Sequence, residues 1–499
     1  MLTQMIHDNR ERLSDQPAIV YKDVRVTHAE LAEGVERMAN VLASVGIGPA
    51  DPVAFLLPNS PPFVISFFAT ASLGAVTVPV NPQFKSEELE SVFRGCGVRA
   101  VITDRQGIGR CRRAVERFQD PPLLLSTTPD SPGALTVPSL IKDHHPAKPQ
   151  SRPPEEDTIF LHSSGSTGRP KRVPRTQHQL RWEVEILTRA MGLTPADKIF
   201  CAIPLFHSYG FTHCMLAAAQ SGATLVILDD PYPFLLQRQR AIELLVQEGA
   251  TVFPGIPFIY RLLAEAPGQA DLSCLRLCFS SGTALPRETF EAFSNRFRMP
   301  IRQHYGSTET GSISIHLDPD PTPTADSVGK AIEQVQVKIV DEVGAPMAPG
   351  QVGEVAIHSP GMTRGYAGMG ELNRQVFRNG DYFTGDLGRL DSEGRLYLLG
   401  RKHAFIEVAG NKVDPAEVED VLAAHPKVGE VVVVGVKGQA EGEQLVKAVV
   451  VVRAPCRERE LIEFVQKKLA SFKVPQIVEF REEIPRSPAG KILRNYLMD

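Results

Sequence analysis

The segment DPVAFLLPNSPPFVISFFATASLG, residues 51–74, places a short apolar run next to a longer apolar one. Val53–Leu57 is typical of a buried strand, and the pattern through Val64–Leu73 predicts a helix. A second strand-like run, Ala100–Thr103, follows further along the chain. Strands that alternate with helices form crossover units, whose consecutive strands lie parallel in one sheet. This segment therefore predicts an α/β fold with a parallel sheet.

Later segments first continue this pattern and then change it. Thr224–Leu228 and Leu275–Phe279 are further strand-like runs. In Gln334–His358 apolar residues alternate with polar ones on either side of a Gly-Ala-Pro turn, which is typical of antiparallel strands. The chain before Gly400 therefore predicts α/β subdomains plus a small β-rich subdomain.

The residues after Gly400 have a different character. A helical pattern near Val418–Ala423 is followed by valine-rich strands. The segment Glu458–Ala470 predicts a helix, because its apolar residues recur on one helical face. We therefore predict a large N-terminal domain over residues 1–400 and a small α+β domain over residues 401–499.

The length and charge of the chain narrow the classes of function. Its 499 residues exceed the roughly 300 at which a single hydrophobic core stops growing, so more than one domain is expected. Hydrophobic residues make up 42% and charged residues 22%, which excludes a disordered or collagen-like chain. The 54 basic and 58 acidic residues leave a net charge of -4, so no global positive field favours nucleic acid. A small-molecule partner is expected.

The cysteines and the apolar segments indicate where the protein works. The 7 cysteines are scattered and odd in number, which predicts buried thiols in a reducing cytoplasm. Cys274 and Cys278 are close in sequence, but no second Cys or His pair lies around them at zinc-finger spacing. Polar residues interrupt the longest apolar stretch, Val64–Val80, so we expect no membrane span and a cytoplasmic location.

The richest chemical segment is SSGSTGRPK, Ser163–Lys171, which follows the strand-like run Thr158–Leu161. Hydroxyls, glycines and a lysine supply what a polyphosphate requires: free backbone N–H groups, side-chain donors and a cation. The segment lacks the Gly-Lys-Ser/Thr ending of a Walker loop. An ordinary surface turn rich in Ser and Gly is the alternative interpretation.

This loop resembles the phosphate-binding signature of the adenylate-forming superfamily, which contains acyl-CoA synthetases, luciferases and peptide-synthetase adenylation domains. Further segments resemble family motifs in the family's order, so the resemblance covers nearly the whole chain. They are Pro204–Gly210 (acyl pocket), Ser281–Pro286 (adenine loop), Tyr305–Glu309, Tyr382–Asp386 (ribose), Gly400–Arg401 (hinge) and Pro488–Lys491. The resemblance implies an N-terminal domain that binds ATP and acid, and a mobile C-terminal domain that acts as a catalytic lid.

The resemblance also implies ATP, Mg²⁺ and CoA as cofactors. The residues implied to contact nucleotide or CoA are Ser163, Ser164, Gly165, Ser166, Thr167, Gly168, Lys171, Gly282, Thr283, Ala284, His304, Tyr305, Gly306, Ser307, Thr308, Asp386, Arg401, Gly410 and Lys491. Lys491 is implied to bridge the acid carboxylate and the α-phosphate, and Glu309 to hold Mg²⁺. Thr308 and His207 complete the catalytic set that the resemblance implies.

Plainer interpretations of the same residues stay open. Lys491 is otherwise a solvent-exposed loop lysine, and Glu309 a surface carboxylate. Tyr305, implied to lie against adenine, is otherwise a core tyrosine. Asp386, implied to bind the ribose hydroxyls with help from Arg401, is otherwise a turn aspartate beside a glycine.

Acid recognition is implied for a separate set of residues: His207, Tyr209, His213, Gly306 and Ser312. A polar His213 favours an aryl or hydroxylated acid, or one of medium size, over a long alkyl chain. His207 is implied to contact the acid carboxylate region, and a packed core histidine is the alternative.

The acyl acceptor is expected to be CoA, with Gly410 beside the pantetheine. His403 and Glu407 depart from the family pattern near the hinge, and an acidic residue facing CoA would repel its phosphates. Transfer to a carrier-protein phosphopantetheine or to an amine is therefore the second interpretation. A non-catalytic sensor of nucleotide or acyl ligand is the third, which the presence of Lys491, Glu309 and Asp386 disfavours.

Overall fold

Strands Pro52–Leu56 and Ala100–Thr103 lie side by side and parallel in the computed structural model, with Val53 opposite Ala100. The helix Pro61–Ser72 precedes the next strand of the same sheet, Val76–Pro79. Proline suits the first turn of a helix, and this explains why the helix begins before Val64. The α/β fold and its parallel sheet, predicted from this part of the sequence, are confirmed.

The structure describes residues 2–129, 131–137, 155–163, 171–229, 234–401, 406–408, 411–413, 415–438, 444–469, 471–487 and 490–498. They divide into two compact units, the first within residues 1–165, 170–337 and 357–382, the second within residues 338–356 and 383–499. The proposed domain boundary at residue 400 stays a prediction. The predicted linker Pro146–Pro154 lies outside the described residues.

Two large sheets and the helices around them make up the first unit. Its strands are β1 Pro17–Tyr21, β2 Val24–Thr27, β3 Pro52–Leu56, β4 Val76–Pro79, β5 Ala100–Thr103, β6 Leu123–Ser126, β7 Leu135–Thr136, β8 Asp157–Ser163, β9 Lys171–Thr176, β10 Lys198–Cys201, β11 Thr224–Ile227, β12 Val252–Gly255, β13 Leu277–Ser280, β14 Ile301–Ser307, β15 Gly311–Ile315 and β16 Lys330–Ala331. Its helices are α1 Leu2–Leu13, α2 His28–Ser44, α3 Pro61–Ser72, α4 Ser86–Cys96, α5 Ile108–Val115, α6 Gln177–Ala190, α7 Ser208–Gly210, α8 Ala217–Ser221, α9 Phe234–Glu248, α10 Pro257–Ala264, α11 Arg287–Phe297 and α12 Gly370–Val376.

The order of the strands determines where the sequence motifs lie in the fold. A nine-stranded sheet runs β16-β15-β14-β13-β12-β10-β11-β1-β2, and its members from β14 to β1 are parallel. A seven-stranded sheet runs β7-β6-β5-β3-β4-β8-β9, with β9 antiparallel to β8. The carboxyl ends of parallel strands meet at one edge of a sheet, where ligands of open α/β folds usually bind.

The remaining elements begin near the end of the first unit and continue through the second. They are β17 Gln336–Val340, β18 Gly353–His358, β19 Phe377–Arg378, β20 Asp381–Leu390, β21 Leu396–Arg401, β22 Ile406–Val408, β23 Asn411–Val413, β24 Val428–Lys437, β25 Gln444–Val452, β26 Ile477–Phe480, α13 Pro415–Ala423 and α14 Glu458–Gln466. A five-stranded sheet has the order β17-β18-β20-β19, and β21 pairs with β20. Val340 and Pro346 form an antiparallel bridge across the turn that the sequence indicated.

The C-terminal part packs two helices on a small sheet. β24 and β25 are antiparallel, and β26 adds parallel to β25. Val418, Val433 and Leu461 belong to one buried cluster, which confirms the predicted α+β character. The last helix ends at Gln466 rather than at Ala470, because Lys468 N–H bonds Val465 O and tightens the chain into a turn.

The cysteines depart from the prediction in one respect. Cys96, Cys111, Cys201, Cys214 and Cys278 are buried, but Cys274 is exposed and Cys456 is half-buried. Both exceptions lie in connecting segments, Cys274 ahead of β13 and Cys456 ahead of α14. The prediction of buried thiols was therefore wrong for Cys274. In the part of the chain that the structure describes, no helix has the length and apolar character that crossing a membrane requires.

Candidate active site

Three of the predicted motifs lie at the carboxyl ends of parallel strands in one sheet. The segment containing His207 follows β10, the segment from Ser281 follows β13, and Thr308 follows β14. The sheet topology therefore brings together motifs that lie far apart in the sequence.

Glu309 lies in a turn between β14 and β15, residues 308–310, which we call the Glu309 turn. The residue is only 6% exposed. The hydroxyl of Tyr366 donates a hydrogen bond of 2.8 Å to Oε1 of Glu309, and Thr363 N–H donates one of 2.7 Å to its backbone carbonyl. Among the described residues, Oε2 of Glu309 has no hydrogen-bond donor. The interpretation as an ordinary surface carboxylate is therefore disfavoured.

Lys171 lies over the ring of Tyr366, whose hydroxyl bonds this carboxylate. It is the last residue of the predicted phosphate loop and the first of β9, and its Nζ lies 4.9 Å from the centre of the Tyr366 ring. Burial, and then the charge of Glu309, raise the pKa of Tyr366 well above its ordinary value. Tyr366 therefore stays protonated and donates to Glu309, so its 3.3 Å contact with Tyr382 has the Tyr382 hydroxyl as donor.

The hydroxyl of Thr308 lies 3.3 Å from that of Ser208, at the start of α7. His207 caps this short helix, because its Nδ1 accepts a hydrogen bond of 3.3 Å from Tyr209 N–H. The side chain of His207 is exposed, which disfavours the interpretation as a packed core histidine. At Gly210 a Cβ would lie 2.3 Å from Pro204 O, so this close approach of backbone to backbone requires glycine.

Four residues predicted to recognise acid or nucleotide form one buried polar cluster, which we call the histidine cluster: Tyr209, His213, His304 and Ser312. Nε2 of His213 lies 3.2 Å from Nε2 of His304 and 3.5 Å from Oγ of Ser312. Nδ1 of His304 lies 3.1 Å from Oγ of Ser281. The ring of Tyr209 stacks on that of His304 at 5.7 Å and meets the edge of His213 at 4.6 Å.

Burial keeps both histidines of this cluster neutral. It lowers the pKa of His304 to about 3. Burial and then the neighbouring His304 hold the pKa of His213 well below its ordinary value. His213 lies in a π-helical stretch, Phe211–Leu216, a conformation that is frequent at functional sites. The cluster therefore offers uncharged imidazole edges and hydroxyls to a ligand.

The predicted adenine loop is open to solvent. Gly282, Thr283 and Ala284 are exposed, and Gly282 has a φ of 88°, which favours glycine. Tyr305 is 8% exposed, so most of its ring lies within the protein. Gly306 and Ser307 complete β14, and a Cβ on Gly306 would lie 2.8 Å from Gly311 O.

In the second unit Asp386 lies on β20 opposite Arg401 on β21. Nε of Arg401 donates a hydrogen bond of 2.8 Å to Oδ1 of Asp386. The Asp386 side chain is 14% exposed and that of Arg401 63%. Asp386 therefore belongs to a strand and an ion pair, which corrects the alternative interpretation as a turn aspartate.

Lys491 lies beside an antiparallel bridge between Arg486 and Ile492, and we call residues 486–487 and 490–492 the Lys491 turn; Pro488 and Ala489 lie outside the described residues. Ser487 N–H bonds Lys491 O at 2.7 Å, and Lys491 N–H bonds Oγ of Ser487 at 3.2 Å. Gly490 has a φ of 76°, in the left-handed region that favours glycine. The turn presents Lys491 at the surface.

Some predicted residues lie outside the described part of the chain. They are Ser164, Gly165, Ser166, Thr167, Gly168 and His403, together with Gly410. Ser163 ends β8, and Glu407 belongs to β22. The roles proposed for all of these residues stay predictions.

One further group of potential metal ligands occurs among the described residues: His425, Cys456 and Glu460, with ligand atoms within 4.8 Å of one another. Lys427 Nζ already lies 2.9 Å from the Glu460 carboxylate. Lys427 N–H donates to Nδ1 of His425, and Nε2 of His425 lies 3.6 Å from the Glu460 carboxylate. We therefore interpret this group as a hydrogen-bonded cluster and not as a metal centre.

Three residues that the sequence did not indicate contribute to the site. Tyr366 bonds Glu309, and Arg175 and Glu183 bond the backbone around the Glu309 turn. Arg and Glu are almost never fully buried unless paired, so pattern alone places them at the surface. Gly365, directly before Tyr366, has a φ of 135°, so the glycine is a local sequence signal of an unusual backbone conformation there.

Comparison with known proteins identifies the family. The model of the AMP-binding enzyme family matches residues 6–367, and that of the AMP-binding enzyme C-terminal domain matches residues 417–491. A feruloyl-CoA synthase from an Amycolatopsis species is 31% identical over 498 residues, covering 97% of this chain and 96% of that protein. The oxalate–CoA ligase of Arabidopsis thaliana is 30% identical over 512 residues, covering 99% and 97%.

A solved structure of similar shape agrees with these relatives. An anthranilate CoA ligase in complex with anthranoyl-AMP superimposes with a TM-score of 0.88 at 25% identity, covering 99% of this chain and 96% of that one. The family models together span most of the sequence, including the Glu309 turn and the Lys491 turn. The chain therefore belongs to the AMP-binding enzyme family, within the adenylate-forming superfamily, as an acid–CoA ligase.

Proposed function

We propose that the protein converts a carboxylic acid, ATP and CoA into acyl-CoA, AMP and pyrophosphate in two steps. First a carboxylate oxygen attacks the α-phosphorus of ATP, and the bond to pyrophosphate breaks to give acyl-AMP. Then the CoA thiolate attacks the acyl carbon, and AMP leaves. The observation that supports the proposal best is the group around Tyr366: the cation of Lys171 lies over its ring, and the buried carboxylate of Glu309 accepts a hydrogen bond from its hydroxyl.

Charge builds on the phosphoryl oxygens as the acid attacks, so fixed donors and cations should surround them. Thr308 supplies a hydroxyl and Lys171 an ammonium group. Thr308 directly follows β14 and Lys171 begins β9, so the strands hold both residues in place. Lys491 bridges the acid carboxylate and the α-phosphate in the first step. His207, exposed on the cap of α7, contacts the region of the acid carboxylate.

The residues fit a divalent cation at Glu309. Mg²⁺ usually takes one or two carboxylates plus phosphate oxygens, and Oε2 of Glu309 has no donor among the described residues. Bound there, Mg²⁺ would neutralise phosphate charge. The Tyr366 hydroxyl holds Oε1, so it fixes the direction in which the free oxygen points.

Two sets of residues are assigned to nucleotide recognition. Asp386 accepts hydrogen bonds from the ribose hydroxyls, and Arg401, already paired with it, supports this contact. The exposed loop Gly282–Ala284 and the ring of Tyr305 contact the adenine. The C-terminal domain acts as a mobile lid that brings Lys491 to the site for the first step only.

The acid has an aromatic or medium-sized tail with an uncharged polar substituent. The histidine cluster supplies ring faces and hydrogen-bonding edges without a positive charge, because burial keeps His213 and His304 neutral. A second carboxylate on the acid would have no cation to pair with in this cluster. Sites that bond a substrate hydroxyl or amine discriminate strongly against acids that lack it.

CoA is the thiol acceptor, beside Gly410. The feruloyl, oxalate and anthranilate relatives are all named for CoA, and this favours CoA over a carrier protein or an amine.

A panel of acids tests the proposal. Benzoate, its hydroxy and amino derivatives, cinnamates, dicarboxylates and fatty acids are each incubated with ATP and Mg²⁺, with and without CoA. We expect AMP release and a thioester, identified by mass, for substituted aryl acids. Pyrophosphate exchange without a CoA thioester would instead favour a carrier protein or an amine as acceptor. Absence of AMP with every acid would overturn the proposal and favour a sensor of nucleotide or acyl ligand.

A further inference from the structure

An ion pair lies buried next to the Glu309 turn. Arg175, near the end of β9, and Glu183, on α6, have side chains only 1% and 3% exposed, with Nη2 to Oε2 at 2.9 Å. Removing two charges from water is costly, and apolar residues of similar volume often stabilise a fold equally well. The further contacts that these two side chains make therefore indicate their function.

Both members of the pair bond the backbone around the Glu309 turn. Nη1 of Arg175 donates a hydrogen bond of 3.2 Å to Thr308 O. Oε1 of Glu183 accepts hydrogen bonds from Ser312 N–H at 3.0 Å and from Ser312 Oγ at 3.1 Å. One charge thus holds the residue before Glu309, and the other holds the start of β15 after it.

Glu183 packs so closely against this backbone that no side chain fits at position 311. Gly311 has a φ of 74°, and a Cβ there would lie 2.4 Å from Oε2 of Glu183. Any other residue at this position would push Glu183 away or strain the backbone. The Glu183 carboxylate is therefore in direct van der Waals contact with the chain that follows Glu309.

The strand that supplies Arg175 also supplies Lys171. β9 therefore contacts the Glu309 turn twice: Arg175 bonds its backbone, and Lys171 lies over Tyr366, which bonds the Glu309 carboxylate. β9 leads directly out of the phosphate loop. The buried pair thus connects the strand after the phosphate loop to the turn that carries the predicted metal ligand.

We infer that Arg175 and Glu183 are positioning residues for adenylate formation, holding the Thr308 hydroxyl and the Glu309 carboxylate in the geometry that the phosphates of ATP require. The inference rests on the proposed function, because it concerns the same site. Neither residue touches substrate. Their effect passes through the backbone of the Glu309 turn, where a displacement of about 1 Å can cost about 100-fold in rate.

The test is the double variant Arg175→Met/Glu183→Leu, which removes both tethers without leaving a single buried charge. Its matched control is Arg181→Met/Glu185→Leu, since that pair lies on the same helix at 2.6 Å but is 44% and 41% exposed. Acyl-AMP formation is measured by pyrophosphate exchange, with KM for the acid. Thioester formation is measured separately, from supplied acyl-AMP and CoA.

For the buried pair we expect kcat of acyl-AMP formation to fall about 100-fold at unchanged KM for the acid. Thioester formation from supplied acyl-AMP should fall much less. Backbone amides of residues 305–316 should exchange hydrogen faster, while those of β24 and β25 keep their protection. The exposed control pair should match the wild type in every measurement.

A second variant covers the case in which the double variant does not fold. Arg175→Lys keeps a positive charge near Glu183 but loses the forked second donor to Thr308 O. It should lower kcat of acyl-AMP formation about 10-fold, with the thioester step retained. Wild-type rates of acyl-AMP formation in both variants, or equal losses in both steps, would overturn the inference. If the wild type itself forms no acyl-AMP, the proposed function fails, and the inference fails with it.

Discussion

The Glu309 turn and the Lys491 turn are built in opposite ways. The first is held by residues distant in sequence: Arg175 and Glu183 bond its flanks, and Tyr366 bonds its carboxylate. The second is closed by its own hydrogen bonds between Ser487 and Lys491, and its lysine is exposed. One turn is therefore fixed by residues far away in the sequence, whereas the hydrogen bonds that close the other join residues of the same turn, whose Arg486 also pairs with Glu430 on β24.

This difference suits the two roles we propose. A carboxylate that holds a cation and phosphates must keep one geometry throughout, so its supports are buried and numerous. A lysine needed in the first step alone must leave without unfolding anything. In the Lys491 turn the hydrogen bonds between Ser487 and Lys491 join residues of the same turn, so they stay formed when the turn moves.

The largest effect should come from the exposed turn. Lys491→Ala should lower acyl-AMP formation about 1,000-fold, because it removes the only cation that we assign to both the acid carboxylate and the α-phosphate. Thioester formation from supplied acyl-AMP should continue at a near wild-type rate. Lys467→Ala, at another exposed lysine of the same unit, is the control and should change neither step. Equal loss of both steps in Lys491→Ala would refute the division of labour between the two turns.

A somewhat smaller effect is expected from the buried turn. Glu309→Gln keeps the shape of the side chain but removes its charge, so acyl-AMP formation should fall about 100-fold. The Mg²⁺ concentration for half-maximal pyrophosphate exchange should rise at the same time. Tyr366→Phe, which leaves the carboxylate but removes its hydrogen bond, should cost only about 10-fold. If Glu309→Gln left the Mg²⁺ dependence unchanged, the cation would have to bind elsewhere.

The sequence predicted the exposed turn better than the buried one, and the reason is physical. Proline and glycine near Lys491 indicate a turn through local backbone preferences, and a strand–helix alternation such as β3, α3 and β5 is likewise a short-range pattern. The fold class followed from such patterns. The place of three motifs at the carboxyl ends of parallel strands became visible only with the strand order.

No local sequence pattern indicates the buried residues that hold the Glu309 turn. Arg175 bonds a carbonyl 133 residues away, and Glu183 bonds an amide 129 residues away. Periodicity does not reveal which distant segment a charge will meet, and burial of Arg and Glu runs against their usual exposure. The exposure of Cys274 was missed for a similar reason, since a thiol's burial depends on whether its segment joins the packed sheet.

The Asp386–Arg401 ion pair on β20 and β21 is half-exposed. Its exposure is therefore intermediate between that of the buried Glu309 turn and that of the exposed Lys491 turn. Asp386→Ala should weaken ATP binding about 10-fold, since a charged acceptor for the ribose hydroxyls is lost. The partner Arg401 is 63% exposed, so the loss of this ion pair should cost little stability. Calorimetric titration with ATP measures the effect, and Glu393→Gln, in the same hairpin, is the control. Unchanged affinity would remove Asp386 from the nucleotide site.

The last expected effect appears only in acid and concerns the stability of the buried half of the site. Burial lowers the pKa of His304 from 6.5 to about 3, so between these pH values the unfolded chain binds a proton that the folded protein does not. The free energy of unfolding should therefore be undiminished above about pH 6.5 and fall by about 1.4 kcal/mol per pH unit for this histidine as the pH drops toward 3. His304→Asn should remove that part of the slope, as measured by urea unfolding at several pH values.

Two controls decide whether this slope belongs to the histidine cluster. His178→Asn, at an exposed histidine on α6, should leave the wild-type slope in place. His213→Asn should flatten it in the same direction as His304→Asn, since burial also lowers the pKa of His213. The two rings are 3.2 Å apart at Nε2, so the double variant should flatten the slope by an amount that differs from the sum of the single changes. A wild-type slope in both single variants would mean that the acid loss originates outside the acyl site, and it would weaken the argument for neutral imidazoles there.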